Sequence, residues 1–350
     1  MWIIGCDLHT RYQQIEAMNT ATGEVIERRL SHDGDQVEQF YSTLPKPVRV
    51  GVEATGYSDW FEQLLQKCGH ELWVGDAARI RAAEVRHQKT DSRDAHLLLR
   101  LLAEDRFPRI WIAPRELRDA RQLLLHRSKL VSLRTSMRNQ LQAVALGQGL
   151  RKKRALWSGK GLDRLKALPI LPFAAERRSD LLNWHELLSV RITELDRKVA
   201  QQAHACPEAV RLMQQSGVGP ITSLAFVLTI GPVDRFRHSK QVVSYLGLNP
   251  RERSSGGHQR MGHISKQGNS MMRWLLVEAG QTAARLDPEL KTFYGQLKRR
   301  RGSNVAKVAV ARKLAVRLYW MLRMPVADTQ RVGLRSSPGI DMMDSSPSNS

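Results

Sequence analysis

Two short apolar runs that each end in a carboxylate constrain the fold of this chain more than any other feature. Residues 2–7 read Trp-Ile-Ile-Gly-Cys-Asp, and residues 48–53 read Val-Arg-Val-Gly-Val-Glu. Short runs of this kind are typical of buried strands. Asp7 and Glu53 then stand at strand ends, and adjacent strands would bring them together. Residues just past strand ends are where α/β sheets hold their ligands.

The order of the predicted elements indicates an α/β domain over residues 1–114, with a mixed sheet flanked by helices. Turn residues and Gly/Pro breaks separate the elements. Strands are predicted at residues 2–7, 12–18, 25–30, 48–53 and 71–74, and helices at residues 35–44 and 59–68. The first three strands form a meander.

Asp91 and Asp94 begin the helix that follows this sheet, in the string Lys89-Thr90-Asp91-Ser92-Arg93-Asp94-Ala95. Their spacing puts both carboxylates on one helix face, where like charges repel unless a cation lies between them. An acidic first turn capped by Thr90, with Asp94 solvated, is the alternative interpretation. Four carboxylates that converge on one point would instead hold hard cations such as Mg²⁺, which prefer oxygen ligands.

The charge of the chain indicates a polyanionic partner. Its 350 residues include 55 Lys and Arg against 34 Asp and Glu, a net charge of +21. Nucleic acid is the simplest such partner. A membrane is not expected, because the arginines are spread along the chain and neither a long apolar run nor a signal peptide is present. Three separated cysteines form no metal-type pair and favour a cytoplasmic location: Cys6, Cys68 and Cys206.

Residues 115–210 predict a helical middle region. Apolar residues recur at helical spacing over residues 115–147 and again over residues 181–203. The two long helices would run antiparallel, either as a coiled-coil-like arm that joins domains or subunits or as an ordinary helical hairpin. A basic run between them is either a solvated face or a phosphate contact: Arg151, Lys152, Lys153 and Arg154.

Residues 211–325 predict a mainly α-helical domain. Gly217 and Gly219 stand in a short turn before an apolar helix. This pattern resembles a helix-hairpin-helix element, whose exposed amides can hold a backbone phosphate without reading sequence. A plain corner between two helices would look similar. The last residues, 326–350, are rich in Ser, Pro and Gly, and we expect them to be disordered.

Residues 247–258 predict a loop that contains the pair Ser254-Ser255 before Gly256. A serine in a glycine-rich loop is usually a turn former, and the alternative is a nucleophile held close to a phosphate. Guanidinium groups beside it would steady negative charge in a transition state: Arg251, Arg253 and Arg260. Downstream, three polar residues could contact phosphate or merely cap a helix: Lys266, Asn269 and Arg273.

Two of these motifs together carry a family resemblance. Asp7, the string Glu53-Ala54-Thr55-Gly56 and the string around Asp91 and Asp94 resemble the DEDD motifs of a class of bacterial insertion-sequence transposases, the bridge-RNA-guided recombinases. The resemblance implies an RNase H-like (RuvC-like) first domain in which the four acids bind Mg²⁺. The lysine that often follows the first aspartate in that family is absent here, where Arg11 is the nearest basic residue.

The Ser-Gly loop resembles the second signature of the same family, in which a serine followed by glycine attacks DNA. The match falls on Ser255, with Ser254 beside it. The resemblance implies a recombinase that acts on donor and target DNA, carries a structured guide RNA and works as a dimer or tetramer. The residues alone leave two alternatives open: a metal-dependent nuclease of the Holliday-junction-resolvase kind that uses water, and a nucleic-acid-binding protein without catalysis.

Overall fold

The structure, a computed structural model, describes residues 1–84, 90–151, 155–252 and 261–324. The chain folds into two compact units, Met1–Ala113 and Pro114–Ser350. Among the described residues, no helix is both long enough and apolar enough to cross a membrane.

The first unit is built on a five-stranded mixed sheet, as the sequence predicts. Its strands are β1 Trp2–Leu8, β2 Tyr12–Asn19, β3 Val25–Ser31, β4 Val48–Glu53 and β5 Glu71–Gly75. They lie in the order β3-β2-β1-β4-β5. β1 is antiparallel to β2 and parallel to β4, and β5 is parallel to β4. The carboxyl ends of β1 and β4 therefore lie side by side.

Helices cover both faces of this sheet: α1 Gln36–Thr43, α2 Asp59–Cys68, α3 Ala77–Ala82 and α4 Asp91–Ala103. Side chains alternate along β1, so Ile4 and Cys6 pack in one core with α1 and α2, whereas Ile3 packs in another with α4. The predicted bounds of α2 are confirmed, and Gly69 ends it in the left-handed conformation. Sequence reasoning missed α3, which the side chain of Asp76 caps.

α4 lies directly against β1 at Gly5. A Cβ at this position would be 2.1 Å from the carbonyl oxygen of Ala95 and 2.4 Å from the amide nitrogen of Leu99. Only glycine permits two backbones to approach so closely. The contact fixes the first turns of α4 beside the carboxyl end of β1.

The second unit is mainly helical, as predicted. Its helices are α5 Arg115–Gly147, α6 Gly159–Lys166, α7 Pro172–Ala205, α8 Pro207–Leu212, α9 Pro220–Ile230, α10 Ser239–Tyr245, α11 Ser270–Leu286, α12 Pro288–Arg301 and α13 Ser303–Arg323. β6 Pro250–Glu252 and β7 Met261–Ile264 form a hairpin between α10 and α11.

The two long helices α5 and α7 pack along each other. α7 begins at Pro172 rather than near Leu181, because proline is tolerated in the first turn, where its missing N–H has no helical partner. α5 also joins the C-terminal core. Leu124 packs there, and Arg121 donates to the carbonyl oxygen of Leu228 at 2.6 and 2.8 Å near the end of α9.

Candidate active site

Asp7, His9 and Asp91 form a cluster at the carboxyl end of β1. One ligand atom from each lies within 4.8 Å of the other two. His9 Nε2 is 2.9 Å from Asp7 Oδ2 and 3.6 Å from Asp91 Oδ1. β1 supplies Asp7, the turn after it supplies His9, and the first turn of α4 supplies Asp91. The structure thus brings together two acids that are distant in sequence.

A second layer of residues orients Asp91. The Tyr12 hydroxyl donates to Asp91 Oδ2 at 2.7 Å. The Tyr12 ring lies 4.7 Å from the His9 ring, and the guanidinium carbon of Arg29 lies 3.7 Å from the Tyr12 ring centroid. The hydrogen bond from Tyr12 holds the pKa of Asp91 below its usual value. Asp91 is therefore an ionised carboxylate with a fixed direction.

The surroundings of Asp7 disfavour the ionised form of its carboxyl group. Its side chain is 20% exposed, and burial raises the pKa of its carboxyl group. His9 opposes this rise, whereas the negative charges of Asp94 and Asp91 add to it, so the pKa stays above its ordinary value. A cation at this position would relieve both the desolvation and the repulsion.

Glu53 and Asp94 border the cluster without joining it. Glu53 ends β4, whose register pairs Val52 with Cys6, so its backbone lies beside that of Asp7. Its Oε1 lies 3.8 Å from Arg81 Nη2. Asp94 lies one helical turn after Asp91, half-buried, and its charge reaches Asp7. All four predicted acids therefore stand at one end of the sheet, and two of them share the described cluster.

The donor set of this site fits a divalent cation. Asp7 and Asp91 offer carboxylate oxygens, which hard cations prefer, and His9 offers an imidazole nitrogen that Mn²⁺ or Zn²⁺ also accepts. Sequence reasoning missed His9 and Tyr12. A signal was present for His9, because it follows Asp7 by two residues, the spacing that returns a side chain to the same side of an extended chain.

The predicted serine falls in the sequence between β6 and β7, which pair as an antiparallel hairpin stem. In the stem, Pro250 pairs with Ile264 and Glu252 with Met261. Arg251 Nη2 donates to the carbonyl oxygen of Ser265 at 3.2 Å. Six of the predicted site residues lie outside the described residues, and so does Ser254, the neighbour of Ser255. The six are Lys152, Lys153, Arg154, Arg253, Ser255 and Arg260.

The base of this hairpin is held by close backbone contacts. Gly247 and Gly268 both have positive φ, and a Cβ on either would lie 2.1 Å from a carbonyl oxygen, that of Gln267 or Tyr245 respectively. Arg273 donates to the carbonyl oxygens of Leu246 at 3.3 Å and Gly268 at 3.1 Å. A phosphate role was one prediction for Arg273; in the structure it clamps the hairpin base.

The neighbouring polar residues have local backbone roles. Asn269 caps α11 by accepting from the amide of Met272 at 3.0 Å. Lys266 is exposed and adopts a positive φ of 57°. Its charge remains available to a ligand, whereas the side chain of Asn269 is committed to the helix end.

The two glycines of the helix-hairpin-helix-like turn differ in role. Gly217 has a φ of +85°, and a Cβ on it would lie 2.6 Å from the carbonyl oxygen of Ala279, so it packs on α11. Gly219 stands at the N-cap of α9, exposed and with open space around its Cα. Of the two, Gly219 offers the open surface that a phosphate would need. Arg151, after α5, is likewise exposed.

Comparison with known proteins gives consistent matches along the chain. Residues 209–295 match the family model described as "Transposase IS116/IS110/IS902 family", and residues 4–147 match the DEDD transposase model of IS110 elements, described as "Transposase". The first range contains the serine hairpin, and the second contains the acid cluster.

Relatives that match most of the chain carry similar names. A "Probable family 20 transposase" of Pseudomonas aeruginosa is 29% identical over 330 residues, which cover 91% of this chain and 96% of that protein. The "Transposase for insertion sequence element IS1328" of Yersinia enterocolitica is 27% identical, with the same coverage of 91% and 96%. The "Transposase for insertion sequence element IS1111A" of Coxiella burnetii is 29% identical over 71% of this chain and 70% of that protein. Both domain models and these relatives agree, and together they support an IS110-family transposase.

Proposed function

We propose that this enzyme cuts and exchanges DNA strands to move an insertion sequence, with Ser255 as the nucleophile and Mg²⁺ held among Asp7, Glu53, Asp91 and Asp94. The observation that supports it is the convergence of carboxylates from β1, β4 and α4 at one end of the sheet. Such a site in a chain of net charge +21 suits a phosphodiester substrate.

The residues of the chain divide the work in this mechanism. Asp7 and Asp91 would hold the cation, and His9 and Tyr12 form hydrogen bonds with those carboxylates that keep them in place. When bound, Mg²⁺ polarises the scissile phosphate and stabilises charge on the attacking and leaving oxygens. Ser255 Oγ bonds to phosphorus as the bond from phosphorus to the sugar oxygen breaks. The serine gives its proton to solvent, and the leaving oxygen takes one up.

The hairpin would supply the second half of the site. Its stem is short and its base is clamped by Arg273, which suits a loop that must present a hydroxyl group in a defined place. The nearby guanidinium groups would steady phosphate charge: Arg251, Arg253 and Arg260. The serine and the acids would meet within one chain or between subunits of a dimer or tetramer.

A structured guide RNA completes the proposal. The basic helices would hold its backbone while base pairing selects donor and target DNA. Exposed positive groups and the exposed start of α9 at Gly219 are the features that support nucleic-acid contact. The residues proposed for this contact, besides the hairpin arginines, are Gly217, Gly219, Lys266, Arg151, Lys152, Lys153 and Arg154.

Strand-exchange assays with Ser255→Ala, Ser254→Ala and Asp7→Asn test this function. The reaction is quenched in denaturant, and protein that stays attached to labelled DNA is detected. We expect Mg²⁺-dependent adducts from the parent protein and from Ser254→Ala, and none from Ser255→Ala or Asp7→Asn, with RNA binding retained by all. Cleavage by Ser255→Ala without an adduct would show a nuclease that uses water. Absence of cleavage in every protein, on any junction substrate, would show a binding protein without catalysis.

A further inference from the structure

A groove lined by both polar and apolar side chains runs along one face of α5 in the second unit. Its volume is about 770 Å³. Its floor combines the apolar side chains of Val131 and Ala143 with a row of hydroxyl and amide side chains on the same side of the helix. The hydroxyl and amide side chains are those of Ser128, Ser132, Thr135, Ser136, Asn139 and Gln140.

Two arginines and a tryptophan complete the walls of this α5 groove. Arg127 donates through Nε to Asp196, and Arg177 donates to Gln140 Oε1 at 3.0 Å, so both guanidinium groups are held in place. Trp274, from α11, lines the groove with 53% of its surface exposed. None of the described side chains that line the groove carries a negative charge.

We propose that the α5 groove binds an unpaired stretch of nucleic acid, with a base stacked on Trp274. An exposed indole can stack on any base, but only when that base is free of its pairing partner. Hydroxyl and amide groups can hydrogen-bond to sugar and phosphate oxygens, and fixed guanidinium groups suit phosphate.

This inference rests on the proposed function, which supplies the nucleic-acid partner. It goes beyond that function by naming where the nucleic acid binds and by stating that the bound strand is unpaired. Most of the groove lining lies on α5 and α7, apart in sequence from the acid cluster and the serine hairpin, whereas Trp274 lies on α11 next to Arg273 of the hairpin base. Variants on α5 therefore lie away from the residues proposed for the chemistry.

Binding assays with the full-length protein test the groove directly. The probes are fluorescein-labelled oligouridine, oligothymidine and a duplex of equal length, read by anisotropy. Trp274→Ala removes the stacking surface, and Ser132→Asp places a negative charge on the floor. We expect each to weaken single-strand binding about tenfold, with a smaller effect on the duplex. A stronger loss with oligouridine identifies the occupant as RNA, and a stronger loss with oligothymidine identifies it as DNA.

Two matched controls keep the test specific. Ser179→Asp makes the same charge change on α7, two residues from Arg177 and therefore on the opposite side of that helix. Trp320→Ala removes a tryptophan on α13 that is 43% exposed. Both should bind like the parent protein. Equal binding by groove variants and parent, or an equal loss for strand and duplex, would overturn the proposal.

Cross-linking locates the contact independently of any variant. Oligouridine that carries 5-iodouridine is photo-cross-linked to the parent protein, which is then digested with trypsin. Cleavage after Arg273 and Arg285 releases residues 274–285, in which Trp274 is the single aromatic residue. A nucleotide adduct on this peptide supports the proposal. If the protein still exchanges strands but adducts form only on other peptides, the proposed role of the groove is wrong and the proposed function stands. If the protein binds no strand at all, both proposals are contradicted.

Discussion

The Tyr12 hydroxyl donates to Asp91 Oδ2 at 2.7 Å and so ties β2 to the first turn of α4. Tyr12→Phe removes this bond and keeps the ring that lies against His9 and Arg29. Since partners of metal-binding carboxylates usually contribute ten- to a hundredfold to affinity, we expect Mn²⁺ binding to weaken roughly tenfold. Isothermal titration calorimetry measures this change without relying on activity.

Tyr57→Phe is the matched control for that measurement. The Tyr57 hydroxyl donates to the carbonyl oxygen of Leu8 at 3.0 Å, so the same atom is lost from a bond to backbone rather than to an acid. Its Mn²⁺ affinity should equal that of the parent protein. Equal affinities in all three proteins would mean that Tyr12 does not position a ligand.

Asp7→Asn should separate stability from function. Burial and the charges of Asp94 and Asp91 raise the pKa of Asp7, so its ionised form costs folding free energy near neutral pH. We expect the metal-free variant to melt at a higher temperature than the parent. Mn²⁺ should raise the melting temperature of the parent alone, because binding to the native state stabilises it. A variant that melts below the metal-free parent contradicts this view of the cluster.

Gly268→Ala should destabilise the second unit. The residue has a φ of +71°, and the new Cβ would lie 2.1 Å from the carbonyl oxygen of Tyr245. We expect a loss of roughly 2–4 kcal/mol in free energy of unfolding, from backbone strain and displaced hairpin contacts. Gly295→Ala, inside α12 with open space around it, should instead gain up to about 1 kcal/mol. Urea unfolding of both variants measures these changes in free energy of unfolding. Equal losses of stability in Gly268→Ala and Gly295→Ala would show that backbone strain at Gly268 is not the cause.

Acid should weaken the α12–α13 contact through Asp287. Burial raises the pKa of this carboxyl group, but the amide of Leu290 and the guanidinium of Arg317 more than offset it, so the pKa lies below its ordinary value. Asp287→Asn keeps a side chain that can cap α12 and removes the ion pair with Arg317. At neutral pH the variant should be less stable by about 1–2 kcal/mol.

The sign of the pH dependence follows from that depressed pKa. The stabilisation from the Asp287 ion pair is complete at pH values above the pKa that Asp287 has in the unfolded chain. It is lost as the pH falls through the lower pKa that Asp287 has in the folded protein. The stability gap between parent and Asp287→Asn should therefore close as the pH falls below about 4. Urea titrations across this range measure it; a gap that stays constant would show that the ion pair contributes nothing.

The sheet was predictable because its signals are local. Each strand is a short apolar or alternating run with a turn residue after it, and Thr90 and Gly69 mark the ends of α4 and α2. The meeting of Asp7 with Asp91 followed from topology, since Asp7 lies near the carboxyl end of β1 and Asp91 begins α4 at the same edge of the sheet. These inferences needed only periodicity and the rule that ligands gather at strand ends.

The supporting residues were harder to find because their roles depend on non-local contacts. Tyr12 begins an ordinary strand, and only the crossing of α4 brings Asp91 to its hydroxyl. Arg273 carries a charge that suggests phosphate, yet its direction is set by three carbonyl groups of the hairpin base. The sequence indicated that Gly217 lies in an exposed turn, but in the structure it packs against α11. The role of Ser255 stays a prediction, because it lies outside the described residues.

The contact at Gly5 sets the width of the acid cluster with main-chain atoms. At Gly5, the backbone of β1 lies against a carbonyl oxygen and an amide nitrogen of α4, with no β1 side chain between them. Although Ile3 packs against α4 nearby, the approach at this point is therefore set by main-chain atoms rather than by side-chain volume. In such an arrangement, residues on the surface can change, and with them the choice of substrate, while Asp7 and Asp91 keep their relative positions.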